Sequence, residues 1–314
     1  MRRYNIPFLE YRRKAFIFSL VIIAAGIVSM ILYGLNLGID FTGGTVLHLD
    51  LREDYQMEEV REVLSPYGLE GASLQRAGAE EDGTRGTEVV VKAPHLDEST
   101  RDNIIGDFQQ RWDGMTDGDV LRVDNVGAVI GEELTREAFW ALAIAIAAMI
   151  GYIALRFELN FSLSGIIALF HDAFIVLAIF SFLQLEINSP FIAAVLTIIG
   201  YSINDTIVIF DRIRENLTME EDKTVEVKDV VNNSINENLV RSINTSLTTL
   251  AVLFSLMIAF NYFIGGIDLR VFALALIIGV ISGTYSSIFI ASPMWLWLRS
   301  VRGGSDEDSA VAEY

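Results

Sequence analysis

The chain lacks residues and motifs on which several enzyme classes depend. It has 314 residues and no cysteine, which excludes disulfides, thiolate nucleophiles and cysteine-based metal sites. Its three histidines, His48, His95 and His171, are too dispersed in sequence to predict a metal cluster. No Gly-Lys pair occurs, so the phosphate-binding loop of the G-x-x-x-x-G-K-[ST] type is excluded, and no G-x-G-x-x-G loop is found. We therefore expect neither a metal nor a cofactor.

Long apolar runs are what the chain has in abundance. Hydrophobic residues make up 52% of it, and the mean hydropathy is +0.42. A bilayer core is crossed by about 20 helical residues, and six runs fit that length: 15–34, 139–155, 163–185, 191–210, 247–264 and 269–298. The first run is longer than the apolar region of a signal peptide, which has about 7–15 residues. The sequence predicts a membrane α-helical bundle of six transmembrane helices, with the first helix retained.

Lysine and arginine are distributed unevenly among the predicted loops, and this distribution sets the orientation. They are frequent in 1–14, in the 212–240 loop and in 299–302, whereas the short loops 184–189 and 261–268 contain none. Both termini are therefore expected in the cytoplasm. The predicted parts are a cytoplasmic segment (1–14), a first helix (15–34), an extracytoplasmic domain (35–133), five further helices (134–298) and a cytoplasmic acidic tail (299–314).

The predicted extracytoplasmic domain carries most of the acidity of the chain. Residues 35–133 contain 22 Asp and Glu and 8 Lys and Arg, so their net charge is 8 − 22 = −14, against −18 for the whole chain. Such a domain repels nucleic acid and anionic lipid head groups, and a solvated surface suited to a salty exterior is favoured over a cation site. Periodicity predicts the order β-α-β-β-α-β, with a last strand at 119–130, as in ferredoxin-like α+β domains. With no defensible catalytic set, we expect a binding or mechanical module.

Ionisable residues inside membrane helices are costly, so each is a functional hypothesis by default. Asp205 lies in the predicted fourth helix, about 10 Å from its cytoplasmic end at 1.5 Å per residue. It is either a carboxylate that takes up and releases protons or a group that holds helices together by hydrogen bonds, and the first is favoured. Asn204 beside it is a candidate supporting residue.

The predicted fifth helix carries a polar stripe that begins at Arg241. The stripe continues at Asn244, Thr245, Thr248 and Thr249, and these offsets of 3, 4, 7 and 8 define one helical face. The pattern favours an inward-facing stripe over an arginine that only anchors a helix end. An ion pair with Asp205 fits this geometry.

Two further features lie on the predicted third and sixth helices. His171 and Asp172 lie at a depth close to that of Asp205. Adjacent residues diverge by about 100° around a helix, so only one of the two is expected to face the polar seam, and for each alone a structural role is favoured over a relay role. Gly279 and Gly283 are spaced by four, which predicts close helix packing.

Four motifs resemble those of a known family. They are 38–44 (GIDFTGG), 200–216 (GYSINDTIVIFDRIREN), 241–249 (RSINTSLTT) and 283–287 (GTYSS). In this order, from the first helix to the sixth, they are similar to the SecD/SecF family of protein-export membrane proteins, within the resistance–nodulation–division superfamily. The length favours the SecF branch, because SecD has a much larger outer region. In this family, Asp40, Phe41, Gly43 and Gly44 would form the signature turn after the first helix.

The resemblance implies both a function and partners. SecF pairs with SecD, associates with the SecYEG channel and possibly YajC, and uses the proton motive force to assist export of unfolded polypeptide. Carried onto this sequence, the relay residues are Asp205 and Arg241, with a partner carboxylate in SecD. One alternative is an ion-coupled small-molecule exporter of the same superfamily. An intramembrane protease is disfavoured, because no serine is expected at the depth of His171.

Overall fold

The computed structural model describes residues 6–78, 86–219, 226–260 and 267–302, and it divides into two compact units. The helical unit comprises Met1–Asn36 and Ala141–Tyr314, and the sheet unit comprises Leu37–Trp140. Residues 79–85, the end of the fifth apolar run at 261–264 and the predicted tail from 303 onward lie outside the described residues.

Within the described residues, six helices are long and apolar enough to cross a membrane, as the apolar runs predicted. In chain order the helices are α1 (Arg12–Tyr33), α2 (Ile39–Thr42), α3 (Met57–Leu64), α4 (Glu98–Arg111), α5 (Ala128–Arg156), α6 (Leu159–Phe182), α7 (Ser189–Met219), α8 (Val227–Ala259), α9 (Ile267–Ser286) and α10 (Ser292–Arg302). The membrane-crossing helices are α1, α5, α6, α7, α8 and the continuous α9–α10 segment.

Three of these helices form the centre of the helical unit. At least half of the apolar window of α6, α7 and α9–α10 is buried within the protein, against 22% or less for α1, α5 and α8. Large apolar side chains of the outer helices, such as Leu20 of α1 and Leu247 of α8, are exposed. Hydrocarbon rather than water is the solvent expected around them, so this exposure has no hydrophobic cost.

A π-helical stretch, Ser287–Ala291, joins α9 to α10. Pro293 follows it closely and has no backbone N–H to donate to the preceding turn. The Ser292 hydroxyl donates to the Ser287 carbonyl, five residues back, at 2.9 Å. The sixth membrane helix is therefore widened locally at its serines.

The sheet unit is built on four antiparallel strands. They are β1 (Gly44–Asp50), β2 (Ser73–Ala77), β3 (Glu88–Ala93) and β4 (Val120–Val126), in the spatial order β2-β3-β1-β4. With α3 after β1 and α4 after β3, the chain follows the predicted order β-α-β-β-α-β. Alternate residues of the strands, such as Leu47 and Val91, face Ile104 and Phe108 of α4 in one apolar core.

The last strand is shorter than the predicted 119–130. β4 ends at Val126, and after Gly127 the chain enters α5 at Ala128. Val129 and Ile130 extended the apparent alternation, although they belong to the helix. That part of the prediction is wrong, because two adjacent apolar residues are compatible with the two-residue repeat of a strand and with the 3.6-residue repeat of a helix.

Candidate functional site

α7 and α9 approach each other closely along one face of each helix. A Cβ atom added at Gly279 would lie 2.3 Å from an α7 side chain, and one added at Gly283 would lie 2.9 Å from Ser202. One turn further along, the hydroxyl oxygens of Thr206 and Ser287 are 2.8 Å apart. Residues spaced by four share a helical face, so these three contacts fix the rotation of α7 against α9.

Asp172 of α6 is the centre of a buried polar cluster. Its side chain is 1% exposed. Its carboxylate accepts hydrogen bonds from Ser282 and Ser286 of α9, each at 2.7 Å, and from Ser202 of α7. Nδ1 of His171 lies 3.0 Å from Oδ1 of Asp172. A carboxylate offers about four acceptor sites, so this group is fully partnered and ties α6 to α7 and α9.

From His171 the polar network continues to α1. Nε2 of His171 lies 2.9 Å from the Ser19 hydroxyl, Ser19 donates to Tyr285 at 3.2 Å, and Tyr285 donates to the Ala15 carbonyl at 2.8 Å. Both His171 and Asp172 are buried, and of the two only Asp172 is bonded to α7, the helix that carries Asp205. The 100° between adjacent residues directs His171 toward α1 and Asp172 toward α7 and α9, and polar groups lie in both directions.

Asp205 lies on α7 between two residues that are held in place. It is 5% exposed, and its Oδ2 atom is buried without a hydrogen-bond partner. Ser202, one turn earlier, is bonded to α6, and the adjacent Thr206 is bonded to the π-helical stretch. An unpartnered buried polar atom costs about 1–3 kcal/mol, so a carboxyl retained in this state calls for a functional explanation.

Asp205 and Arg241, both described by the structure, form no ion pair within 4.0 Å. Arg241 interacts with the carboxyl through its charge, but its side chain is exposed. Asn204, Asn244 and Thr248 are exposed as well. Within this chain Arg241, Asn244 and Thr248 therefore face outward, so the expectation that the whole stripe faces inward is wrong. Thr249, at the half-buried edge of the stripe, lies 3.0 Å from the Tyr201 hydroxyl of α7.

A different face of α8 packs inward, and small serines line it. Ser242 and Ser246 are buried, and the Ser246 hydroxyl is 2.5 Å from that of Thr284 of α9. Thr245, at the edge of the stripe, is half-buried, and its carbonyl accepts a hydrogen bond from the Tyr201 hydroxyl of α7 at 3.2 Å. Small serines allow close helix contact in lipid, which is why this face, and not the one with Arg241, meets the bundle.

The glycines of the predicted signature turn have backbone reasons to be glycine. Gly43 and Gly44 have φ of 69° and 143°, values that L-residues rarely adopt. A Cβ at Gly44 would lie 2.7 Å from a carbonyl oxygen of β3, and one at Gly43 would lie 3.1 Å from Cα of Ala128 at the start of α5. Asp40 and Phe41 lie in α2, directly before these glycines. The turn thus packs its backbone on both β3 and α5 within the sheet unit.

Ser19, His171 and Asp172 lie in the order of a serine–histidine–aspartate triad, although no serine was expected at the depth of His171. In a catalytic triad the serine hydroxyl donates to the histidine. Here Tyr285 uses its one proton on a carbonyl, so Ser19 donates to Tyr285 and not to His171. Ser19 is also 4% exposed, within a regular helix. Because the Ser19 hydroxyl donates its proton to Tyr285, His171 is not placed to accept that proton as the general base of a triad does.

Several residues of the network were missed from the sequence. Ser282 and Ser286 are spaced by four on one helix, and this spacing would have indicated a shared polar target. Ser19 is a single polar residue in an apolar run, without a local pattern that marks it, whereas Ser202 and Tyr285 lie inside the motifs 200–216 and 283–287 but were not singled out there. Among the described residues, no group of three His, Cys, Asp or Glu side chains lies close enough together to hold a metal.

Comparison with known proteins decides the family. Residues 109–301 match the family model for "Protein export membrane protein SecD/SecF, C-terminal", and residues 28–49 match the SecD/SecF GG motif. Protein translocase subunit SecF of Desulfurispirillum indicum is 40% identical over 95% of this chain and 93% of its own length; that of Alicyclobacillus acidocaldarius is 43% identical over 92% and 91%. The chain belongs to the SecF family. Asp172, Asp205 and Arg241 lie inside the first match, and Gly43 and Gly44 inside the second.

Solved structures of SecDF resemble this SecF-family chain. SecDF of Thermus thermophilus has a TM-score of 0.80 and 36% identity, covering 95% of this chain and 39% of that one. SecDF in the super-membrane-facing form has a TM-score of 0.67 at 36% identity, covering 97% and 40%. This chain thus spans about two fifths of those SecDF chains. With six apolar helices in its described part, it is a multi-pass membrane protein.

Proposed function

We propose that this SecF-family chain pairs with SecD and uses the proton motive force to assist export of unfolded polypeptide through SecYEG, with YajC as a possible further partner. Asp205 carries the proton, and Arg241 acts on it through its charge. The chain lies in the cell inner membrane with both termini in the cytoplasm, and the sheet unit is an extracytoplasmic ferredoxin-like module. The relatives named above are translocase subunits, which supports transport rather than an enzymatic reaction.

The observation that carries the proposal is the unpartnered carboxylate oxygen of Asp205. A carboxyl whose hydrogen bonds are complete must break some of them to change its protonation state. Oδ2 of Asp205 has no such bond, while Ser202 and Thr206 hold the helix around it. The site therefore combines a fixed position with a group that is free to gain and lose a proton.

The exposed face of α8 supports pairing with SecD. Arg241, Asn244 and Thr248 are exposed on a helix that crosses the membrane. Polar side chains facing hydrocarbon are costly and in membrane proteins face other protein or water, so a second protein is expected to cover this face. The SecDF chains that resemble this one extend well beyond the part it matches, and SecD is the partner we assign to it.

The charge and strand order of the sheet unit support its proposed role. Its acidic surplus favours a water-exposed position outside the membrane. The spatial order β2-β3-β1-β4, with both helices in crossover connections, is the arrangement expected of a ferredoxin-like module. The absence of Lys and Arg from 184–189 and 261–268 supports the orientation.

The test replaces Asp205 in cells that depend on this chain. Asp205→Asn keeps the size and the hydrogen-bonding capacity but removes titration, so gradient-stimulated export is expected to be lost while membrane insertion and SecD co-purification persist. Asp205→Glu should retain part of the export. The matched control is Asp211→Asn, on the same helix, which removes a half-exposed carboxylate paired with Arg156. Export at the wild-type level in Asp205→Asn would overturn the proposal.

A further inference from the structure

The hydrogen bonds around His171 fix where each proton lies. A carbonyl oxygen only accepts, so the single proton of the Tyr285 hydroxyl lies on its 2.8 Å bond to Ala15. Tyr285 therefore accepts from Ser19, at 3.2 Å. The Ser19 hydroxyl, with its proton used, accepts from Nε2 of His171 at 2.9 Å. His171 thus carries a proton on Nε2.

The second ring nitrogen then requires a proton of its own. Nδ1 of His171 lies 3.0 Å from Oδ1 of Asp172, and a neutral imidazole protonated at Nε2 has only a lone pair at Nδ1. Two lone pairs would repel at this distance, so a proton lies between the two atoms. It belongs either to the ring, as imidazolium, or to the carboxyl group. In both cases the pair holds one proton more than a neutral histidine beside a carboxylate.

We propose that His171 and Asp172 form a proton-binding site separate from Asp205, and that release of its proton switches Ser19 from Tyr285 to His171. When one proton passes from the pair to water, the neutral ring keeps a proton on Nδ1 for Asp172. Ser19 then turns its hydroxyl to donate to Nε2. The N–H bond at Nε2 breaks as its proton leaves, a proton that lies on the carboxyl group moves to Nδ1, and the hydrogen bond between Ser19 of α1 and Tyr285 of α9 is lost.

The switch acts where α1 joins the other helices. Near Ser19, the contacts of α1 depend on the proton. Near its other end, Ser29 and Ser181 of α6 share a 3.1 Å hydrogen bond that involves no titratable group, and a Cβ at Gly26 would lie only 2.2 Å from that of Ala178. The part of α1 around Gly26 and Ser29 is therefore held by packing, whereas the part around Ser19 is held by a hydrogen bond that depends on protonation. A role of this switch in export deepens the proposed function and rests on it. Proton binding by His171 and Asp172 does not depend on that function.

Few other titratable groups lie near the pair on the helices that pack against it. One of them is Tyr201 of α7, which directs its hydroxyl to α8. α1 has no charged residue from Ala15 to Leu32, and α10 has its first at Arg299. α7 brings Asp205, three residues beyond the serine that binds Asp172. α9 brings Tyr285. A test of the pair must therefore separate it from Asp205 and Tyr285.

The test is a pH titration of the full-length chain in lipid nanodiscs, followed by infrared spectroscopy of the carboxyl and imidazole bands. The wild type is expected to show titrating bands that disappear in both His171→Gln and Asp172→Asn and persist in Asp205→Asn. His95→Gln, at an exposed histidine of the sheet unit, is the matched control and should leave these bands unchanged.

Tyr285→Phe distinguishes proton binding from packing, and it remains informative if His171→Gln fails to fold. It removes one hydroxyl and leaves Ser19 free to donate to His171 without losing another bond, so the titration midpoint is expected to move to lower pH. A purely structural network predicts no shift. Identical titration of the wild type and His171→Gln wherever the chain stays folded, or an unmoved midpoint in Tyr285→Phe, overturns the inference. Neither readout involves export, so failure of the proposed function is recognised separately, in Asp205→Asn.

Discussion

Asp119 in the sheet unit and Asp205 in the helical unit are aspartates buried to a similar degree, at 2% and 5% exposure. Asp119 accepts from Nε of Arg52 at 2.6 Å and from the backbone and hydroxyl of Thr116 at 2.8 and 2.7 Å. The Arg52 hydrogen bond, followed by those of Thr116, lowers the pKa of Asp119 to about 2. Asp205 has an oxygen without a partner and no ion pair with Arg241.

The difference shows how one chain uses the same residue type in two ways. In the sheet unit, the buried carboxylate is a fixed charge that holds the start of β4 to the loop after β1. In the helical unit, the helix around Asp205 is held by neighbouring serine and threonine hydroxyls, and the carboxyl itself is left out of that network. A residue that must change charge is thus separated from the contacts that maintain the fold.

The largest expected effect comes from combining Asp205→Asn with Arg241→Met. If Arg241 acts only through the protonation of Asp205, each single variant loses gradient-stimulated export and the double variant is little worse than either. The measurement is export rate with and without a proton gradient, together with SecD co-purification. Additive defects would show that the two residues act independently. Loss of SecD in Arg241→Met alone would show that Arg241 acts mainly by holding SecD on the exposed face of α8, rather than through the protonation of Asp205.

Gly26→Val is expected to have the next largest effect, because it separates α1 from α6 without changing a polar group. A Cβ at Gly26 would lie 2.5 Å from Cα of Ala178. The backbone of α6 cannot relieve this clash by a change of rotamer, as a side chain could. Overpacking costs about 1–3 kcal/mol, so we expect earlier unfolding in detergent. Gly151→Val in α5 is the control, since nothing lies within 4 Å of its added Cβ. Equal stability of the two variants would contradict the observed α1–α6 contact.

Asn244→Leu should have a smaller effect, of opposite sign in two assays. On a lipid-facing surface the leucine stabilises the isolated chain, whereas in a subunit interface it removes a polar contact worth about 0.6 kcal/mol, which is roughly a threefold loss of affinity. Thermal stability of the chain alone and its affinity for SecD are the two measurements. Val252→Leu, at an exposed apolar position of the same helix, should change neither. Unchanged SecD affinity in Asn244→Leu would place the interface elsewhere.

The sequence predicted the regular elements well and the polar network only in part. Long apolar runs and alternating strands leave local patterns, which is why the six helices and the order of the sheet unit were predicted. The bond between Ser19 and His171 joins residues 152 positions apart, and it depends on packing that no local period records. The outward direction of Arg241 was missed for a related reason, because polarity alone does not tell whether a helix face meets its own chain or another.

The smallest effect is expected for Asp119→Asn, and it tests whether the sheet unit uses its buried carboxylate as a fixed charge. The pKa of Asp119 is about 2 in the folded chain and about 3.9 in an unfolded one. A lowered folded pKa stabilises the fold above about pH 4, and this contribution is lost as the pH falls from about 4 to about 2. Hydrogen–deuterium exchange of the full-length chain, compared with wild type at each pH, should show faster exchange around β4 at pH 7 and a vanishing difference near pH 2. Asp113→Asn, at an exposed position nearby, should match wild type throughout. A difference that persists undiminished to pH 2 would mean that the shape of the side chain, rather than its charge, holds β4 in place.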